Sequence, residues 1–280
     1  MATQTWFITG AASGFGRAFA EHALARGHNV VATARRADTL QEFAAQAPQR
    51  AMALSLDVTR APDAQAAVDA ALARFRRIDV VINSAGYGVV GAFEETSDDE
   101  LRAQMETNFF GAMNVTRAVL PALRAQRTGA IVNISSLGGQ LSFAGFSAYS
   151  ASKFAVEGAS EALAQELAPF GVKVLIVEPG QFRTGFAGAG LRHMPMIDAY
   201  RDIVGGTRDF AHAMDGAQFG DPKKAAAAIE AALDAPTTPL RLQLGADAVD
   251  AVRGHAETLL KDLNTWEKLA RGTAFEPASK

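Results

Sequence analysis

Short apolar runs alternate with longer amphipathic stretches along most of this chain. Seven of the runs are rich in Val, Ile, Leu and Phe and are often apolar throughout, which is typical of parallel strands buried on both faces. The predicted strands are Thr5–Thr9, Asn29–Ala34, Ala51–Asp57, Asp79–Asn83, Ala130–Ser135, Lys173–Glu178 and Leu240–Leu244.

Alanine-rich segments with apolar residues at helical spacing lie between these runs. The predicted helices include Gly16–Arg26, Pro62–Phe75, Leu101–Arg124 and Tyr149–Leu167. Repeated alternation of strand and helix predicts an α/β Rossmann fold, a doubly wound parallel sheet of about seven strands with helices on both faces. No linker or internal repeat interrupts the alternation, so we expect one domain over residues 1–271.

Two regions depart from the alternation. The segment Gly185–Gly220 is rich in Gly and Met, contains Pro195 and shows no strand pattern. An excursion of this length in a compact domain is typical of a functional lid, here one that would cover a substrate. Asp247–Arg271 is predicted to form one or two C-terminal helices, and Gly272–Lys280 is expected to be a flexible tail.

The composition narrows the classes of function. Hydrophobic residues make up 49% and charged residues 20% of the chain, as in a globular protein with a large core. The net charge of −3 is spread along the sequence, so no nucleic-acid surface is indicated. Cysteine is absent, which excludes disulfides and thiol catalysis, and the five histidines lack metal-ligand spacing.

The chain also lacks the usual signals for a membrane. No apolar run approaches the ~20 residues that a spanning helix needs, and no signal-peptide pattern follows Met1. We therefore expect a cytoplasmic protein that binds neither membrane, metal nor nucleic acid.

The first predicted strand ends in a glycine-rich turn that leads into a helix. The turn reads Thr9-Gly10-Ala11-Ala12-Ser13-Gly14-Phe15-Gly16. Glycines permit a sharp bend and let backbone N–H groups approach a pyrophosphate at the positive end of a helix. A turn without a ligand is the alternative, but its place at the first strand–helix junction favours dinucleotide binding. The predicted contacts are Gly10, Ser13, Gly14, Phe15 and Gly16.

The spacing Gly-x-x-x-Gly-x-Gly resembles the turn of the short-chain dehydrogenase/reductase family. Further motifs match in order along the chain, although Ser84 stands where the family usually has a second Asn. The resemblance implies three further groups of cofactor contacts. They are Asp57 and Val58 at the adenine, Asn83, Ala85 and Gly86 beside the dinucleotide, and Pro179, Gly180, Phe182 and Thr184 at the nicotinamide.

The end of the second strand bears on which dinucleotide binds. An acidic residue there binds the ribose 2′-hydroxyl of NAD, whereas a nearby arginine accommodates the 2′-phosphate of NADP. Here Ala34 occupies the position of the acid, and Arg35 and Arg36 follow. A guanidinium pairs well with phosphate, so we predict NADP(H) as the preferred cofactor and NAD(H) as the alternative. Against this, the two arginines could be solvated strand-end charges, and Ser13 replaces a second basic residue of many NADP-preferring relatives.

Tyr149 and Lys153 form a Tyr-x-x-x-Lys pair on one face of a predicted helix. Reduction of a carbonyl needs a proton donor at its oxygen, and a nearby ammonium should lower the pKa of a tyrosine, ordinarily ~10, toward neutrality. The resemblance adds Ser136, which would hold the substrate oxygen, and Asn108, which would hold a water that relays protons to Lys153. It also places Tyr149 and Lys153 against the cofactor. The predicted catalytic residues are Asn108, Ser136, Tyr149 and Lys153.

The expected function is hydride transfer between NADP(H) and a carbonyl or alcohol substrate. The substrate pocket is expected to lie under Gly185–Gly220, on a floor of Tyr87, Leu137, Gln140 and Phe143. Aromatic and methionine side chains indicate that it is an apolar cleft: Phe146, Phe186, Met194, Met196 and Met214. An NADP(H)-sensing regulatory protein without turnover is one alternative, and an epimerase, dehydratase or lyase is another. The resemblance also implies a homodimer or homotetramer formed through Leu101–Arg124 and Tyr149–Leu167.

Overall fold

Strands and helices alternate along residues 3–275, the part of the chain that this computed structural model describes. The strands in this range are β1 (Thr5–Ile8), β2 (Asn29–Ala34), β3 (Ala51–Ser55), β4 (Val80–Asn83), β5 (Gly88–Val90), β6 (Gly129–Ile134), β7 (Val172–Pro179), β8 (Leu191–His193) and β9 (Arg241–Leu244). The helices are α1 (Gly14–Ala25), α2 (Gln41–Ala45), α3 (Ala61–Phe75), α4 (Asp98–Met105), α5 (Gly111–Gln126), α6 (Ser147–Leu167), α7 (Arg201–Met214), α8 (Pro222–Asp234) and α9 (Ala246–Arg271).

Seven of the strands form one parallel sheet in the order β3-β2-β1-β4-β6-β7-β9. The order reverses between β1 and β4, so the helices that follow these two strands leave the sheet on opposite sides. The carboxyl ends of the strands at such a switch point open a crevice that binds ligands in doubly wound folds. The predicted fold class is confirmed.

Apolar layers cover both faces of the sheet. Successive residues of β1 point to opposite faces, so Trp6 and Ile8 pack in one layer and Phe7 in the other. The first layer includes apolar side chains of α1, α2 and α8, and the second those of α3 and α5. Burial on both faces explains why the central strands are apolar throughout.

The helix predicted as Leu101–Arg124 is wrong as a single α-helix. Between α4 and α5 the chain forms a π-helical turn at Glu106–Phe110. The turn holds Asn108, whose side-chain amide bonds the backbone of Tyr87. Tertiary contacts of this kind leave no mark on helical periodicity, and π-helical turns are frequent at functional sites.

The expectation that Gly185–Gly220 contains no strand is also wrong. β8 lies within this segment and pairs in parallel with β5, outside the main sheet. Each strand has only three residues, too few for a recognisable alternation. The segment also contains α7, and α9 is a single helix. Of the predicted tail, residues 276–280 lie outside the described range.

Within residues 3–275, none of the helices combines the length and apolarity that crossing a membrane requires.

Candidate active site

The glycine-rich turn after β1 has a geometry that other residues would not tolerate. Gly10 and Gly14 adopt φ values of +67° and +54°, in the left-handed region that favours glycine. A Cβ on Gly16 would collide with the carbonyl oxygen of Gly10. Helix α1 begins at Gly14, two residues before the predicted start, so its N-terminus lies within the turn.

Thr9 fastens this turn to the end of β4 and was not among the predicted site residues. Its hydroxyl oxygen accepts hydrogen bonds from the backbone N–H groups of Ser84 and Ala85, at 3.0 and 3.1 Å. Gly10 lies directly against Ala85, since an added Cβ would be 2.9 Å from the Ala85 Cα. The turn after β1 and the turn after β4, which flank the switch point, are therefore hydrogen-bonded and packed against each other.

The segment after β7 is held from two sides. The Gln181 N–H donates to the Asp247 carboxylate at 2.7 Å, and the Gly180 N–H donates to Leu244 at 2.9 Å. The Phe182 ring contacts Phe15 of the glycine turn, with ring centres 5.1 Å apart. Asp247 is separated from Gln181 by 66 residues, so sequence reasoning had no signal that linked them.

Thr184 brings the same segment to the glycine turn. A Cβ on Gly14 would lie 3.4 Å from the Thr184 Cβ, so these two predicted contacts face each other. A cleft of about 380 Å³ opens beside them, lined by α1, residues 183–185 and the start of α8. Pro179 closes β7 and leads into this segment.

The residues predicted to contact the adenine half of the cofactor lie at the carboxyl ends of β2 and β3. Arg35 and Arg36 are exposed, and within residues 3–275 neither guanidinium pairs with a carboxylate. One oxygen of Asp57 accepts from the backbone and hydroxyl of Thr59, and the Val58 side chain is buried. The exposed Ser13 precedes the first turn of α1.

The side chain of Asn83 points into the protein interior, away from the carboxyl ends of the strands. Its amide donates to Thr116 at 3.0 Å and to Asn133 at 2.8 Å, inside the buried contact between β4, β6 and α5. The Asn83 side chain therefore joins the sheet to α5. The backbone of Ser84 and Ala85 lies against the glycine turn, and Gly86 lies beside Asn108 and Lys153.

Ser136 and Tyr149 converge where β6 ends and α6 begins. A Cβ on Gly138 would lie 3.4 Å from both the Ser136 Oγ and a ring carbon of Tyr149, so both side chains border the same glycine. Ser136 also accepts a hydrogen bond from the Gly138 N–H at 3.0 Å. Ser135, by contrast, lies on the side of Glu157.

Lys153 and Asn108 both lie close to Gly86. The Lys153 Nζ donates to the Ile134 carbonyl at 2.9 Å and lies 5.8 Å from the centre of the Tyr149 ring. A Cβ on Gly86 would be 3.0 Å from Asn108 Oδ1 and 3.7 Å from Lys153 Nζ. The structure thus brings the four predicted catalytic residues together at one end of the sheet.

Burial controls the proton affinities at this centre. It raises the pKa of Tyr149 to about 12, and a hydrogen bond with Ser136 opposes the rise. It lowers the pKa of Lys153 to about 8, and the nearby Glu157 carboxylate opposes that change. The expected lowering of the tyrosine pKa is wrong, because desolvation of the buried phenolate outweighs the hydrogen bond with Ser136.

A buried carboxylate pair lies one helical turn beyond Lys153. Gln140 donates to both Glu157 and Glu178, at 3.1 and 3.0 Å, so it does not line the substrate cleft as expected. The Arg241 guanidinium lies 3.0 Å from Glu157 and 3.5 Å from Glu178. Burial raises the pKa of Glu157 to about 7, and the neighbouring Glu178 carboxylate adds to the rise.

We expect the substitution Glu157→Gln to stabilise the protein above pH 7 and to have little effect near pH 4.5. Between these values the folded chain keeps a proton on Glu157 that the unfolded chain releases, so the wild type loses stability as pH rises. The variant avoids this loss, which we expect to be on the order of 1 kcal/mol after allowance for the partners of Glu157. Urea unfolding at pH 5 and pH 8 measures the difference.

Glu161→Gln is the matched control, because Glu161 binds the same arginine but is half-exposed. It should show no gain at pH 8. A Glu157→Gln variant that is equally or less stable than the wild type at pH 8 would show that burial of the charged Glu157 carboxylate does not destabilise the fold.

Aromatic rings and the segment Gly185–Gly220 cover the reacting centre. Phe186 and Phe146 lie 5.4 and 6.1 Å from Tyr149, measured between ring centres. The buried Glu95 carboxylate fixes the segment, since it pairs with Arg208 at 2.6 Å and accepts the Ile197 N–H at 2.7 Å. The surroundings of Tyr149 are therefore apolar. Farther from Tyr149, the Glu95–Arg208 ion pair holds the segment Gly185–Gly220 in place.

Comparison with known proteins gives consistent matches. A family model for short chain dehydrogenases matches residues 4–193. Oxidoreductase BOA17 of Botryotinia fuckeliana is 39% identical over 273 residues, which cover 97% of this chain and 100% of that protein. A short-chain dehydrogenase structure from Streptomyces avermitilis has a TM-score of 0.92 at 52% identity, covering 98% of this chain and 99% of that one. A serine dehydrogenase complexed with NADP⁺ has a TM-score of 0.75 at 26% identity, covering 86% and 94%.

Proposed function

Because this chain belongs to the short-chain dehydrogenase/reductase family of oxidoreductases, we propose that it transfers a hydride between NADP(H) and an apolar carbonyl or alcohol. The observation that carries the proposal is the convergence of Ser136, Tyr149 and Lys153 beside the glycine turn, at the switch point of the sheet. The experiment that tests it follows NADPH oxidation at 340 nm against a panel of aldehydes, ketones and quinones. Turnover with at least one class supports the proposal, and silence across the panel with tight cofactor binding would favour a sensor.

The residues present fit a nicotinamide dinucleotide. Any side chain at Gly16 would clash with the Gly10 backbone and distort the turn, and the N-terminus of α1 offers N–H groups for phosphate. Thr184 lies against Gly14, and both line the cleft of about 380 Å³. Arg35 and Arg36 would hold a 2′-phosphate, Asp57 and Val58 the adenine, and Phe182 and Thr184 the nicotinamide end. When bound, this cofactor supplies or accepts the hydride.

Tyr149 serves as the proton donor in reduction and the acceptor in oxidation. Its raised pKa keeps the phenol protonated at neutral pH, which suits a donor to the oxygen of a carbonyl. Ser136 holds the same oxygen beside the phenol, because its hydroxyl and the Tyr149 ring border the same glycine, Gly138. Tyr149 thus contributes proton transfer, and Ser136 contributes the orientation of the substrate oxygen.

Lys153 and Asn108 support the tyrosine. The lowered pKa of Lys153 allows it to give up and regain a proton close to neutral pH. Asn108 uses its side chain to hold the backbone of Tyr87 and the Ser152 hydroxyl, so its contribution to a water relay would come through its backbone. This relay remains a prediction.

An apolar substrate fits the aromatic surroundings of Tyr149. Phe146 and Phe186 offer ring faces there, and the segment Gly185–Gly220 acts as the lid that sets specificity. The Phe186 ring packs against Gly88, so lid and body meet directly over the site. We further propose that the enzyme is cytoplasmic and that α4, α5 and α6 form a homodimer or homotetramer.

Asp247 is a positioning residue for the nicotinamide segment. We expect Asp247→Ala to lower kcat about tenfold with a smaller change in the substrate KM, since the segment that orients the ring loses its anchor. Asp247→Asn keeps an acceptor oxygen and should restore most of the rate. Steady-state kinetics with NADPH and a carbonyl substrate measure both.

Asp250→Ala provides the control, because Asp250 is an exposed carboxylate on the same helix. It should leave kcat unchanged. If Asp247→Ala lowers only thermal stability, and kcat stays at the wild-type value, Asp247 has no positioning role.

A further inference from the structure

The C-terminal helix α9 projects from the body of the protein. Its first turns contact the end of β9, whereas every residue from Ala256 to Arg271 is exposed. Several large apolar side chains on this part are more than half exposed: Leu259, Leu260, Leu263, Trp266 and Leu269. Helical stability in proteins comes mainly from packing of an apolar face, and this face of α9 packs against nothing within residues 3–275.

The apolar positions follow a heptad repeat. Counted from Val249, they recur at alternating intervals of three and four residues through three heptads: Val249, Val252, Ala256, Leu259, Leu263, Trp266 and Ala270. This repeat keeps one seam on one side of a helix and is the pattern that packs against a second helix with the same repeat. Leu260 and Leu269 flank the seam and widen it.

We propose that α9 pairs in antiparallel orientation with α9 of a second copy of this chain. Side-chain size favours this orientation. With the symmetry axis beside Lys261, Leu259 packs on Leu263 of the second copy, and Trp266 packs on Ala256 of the second copy. Large residues therefore meet small ones, as close packing requires. A parallel pair would instead oppose Trp266 to itself and leave a gap at Ala256.

Charge favours the same orientation. The half of α9 before Leu259 carries three carboxylates and one arginine, whereas the half from Leu259 onward carries three basic and two acidic residues. Antiparallel pairing brings the acidic half over the more basic one. It also places Arg253 near Glu267 of the second copy, whereas a parallel pair would place Asp262 near Glu267.

The chemistry of the helix favours a protein partner over a lipid surface. Helices that bind membranes carry an excess of Lys and Arg on the polar face. The polar face of α9 carries near-balanced charge and includes ion pairs along the helix, Asp250 with Arg253 and Glu267 with Arg271. A symmetric pair of identical helices also closes on itself and leaves no apolar seam exposed.

Light scattering after size-exclusion chromatography tests the proposal on the full chain. We expect Leu263→Asp to halve the mass of the wild-type assembly at micromolar concentration. Asn264→Asp adds the same charge on the opposite side of the helix and should keep the wild-type mass. Equal masses for Leu263→Asp and the wild type would overturn the proposal, as would a wild type at the 29.5 kDa of one chain.

Disulfide trapping tests the orientation, because the chain contains no cysteine of its own. An equal mixture of Leu259→Cys and Leu263→Cys proteins should form a covalent dimer under mild oxidation, since a disulfide needs Cα atoms within about 7 Å. Each variant alone should stay a single chain on a non-reducing gel. Cross-linking of the separate variants would indicate parallel pairing and overturn the proposal.

Vesicle sedimentation tests the alternative that the apolar seam of α9 binds a membrane. Wild-type protein should stay in solution with phosphatidylcholine vesicles and with vesicles that contain phosphatidylserine. Binding of the wild type, with loss of binding in Leu263→Asp and no change in its mass, would assign the seam to a membrane surface and overturn the proposal.

Discussion

Replacement of Tyr149 by phenylalanine is expected to lower carbonyl reduction by about 10³-fold, within the range that general acid catalysis supplies. The substitution removes only the hydroxyl, and the ring keeps its contacts with Phe146 and Phe186. NADPH binding should therefore change little. Single-turnover absorbance at 340 nm measures the chemical step, and fluorescence titration measures the affinity for NADPH.

The chain offers a matched control for this experiment. Tyr200 is one of only three tyrosines, and its hydroxyl donates to Glu94 at an exposed site on the lid segment. Tyr200→Phe should retain nearly the wild-type rate. If Tyr149→Phe retains more than a tenth of the wild-type rate, another group protonates the carbonyl and the assignment of Tyr149 fails.

Replacement of Arg35 by aspartate is expected to reverse the cofactor preference. A guanidinium that pairs with the 2′-phosphate would be replaced by a carboxylate that repels it and can bind the 2′-hydroxyl of NAD. We expect the ratio of kcat/KM for NADPH to that for NADH to fall by about 100-fold, the size of a lost charge-assisted pair plus repulsion. Initial rates with the two cofactors give this ratio.

Arg102→Asp is the control for charge reversal, because Arg102 is an exposed arginine on α4. It should leave the cofactor ratio unchanged. The variant Arg36→Asp shows how much of the change in the cofactor ratio each arginine accounts for. An unchanged ratio in both the Arg35 and the Arg36 variants would contradict their assignment to a 2′-phosphate.

The sequence was sufficient for the parts of the fold that depend on local pattern. The sheet strands were predictable because strands such as β1 and β4 are buried on both faces and therefore uniformly apolar. Glycine spacing predicted the turn because Gly10 and Gly14 need left-handed backbone conformations. The family resemblance then predicted Ser136 as the partner of Tyr149, and both side chains border Gly138.

Features that depend on tertiary contact were not predictable. The strands β5 and β8 exist because they pair with each other, and neither has the length for a pattern. The π-helical turn at Asn108 and the carboxylate of Asp247 act on segments distant in sequence. Gln140 was expected in the cleft because of its place in the chain, but two buried carboxylates attract its amide.

Transfer of deuterium from labelled NADPH tests the central claim most directly. The protein is incubated with NADPH that carries deuterium at the reactive nicotinamide carbon and with apolar aldehydes and ketones, and the products are analysed by mass spectrometry. Hydride transfer at the Tyr149 site predicts an alcohol with one deuterium at the former carbonyl carbon, and no such product from Tyr149→Phe. Tight NADPH binding without deuterium transfer to any carbonyl would contradict the claim.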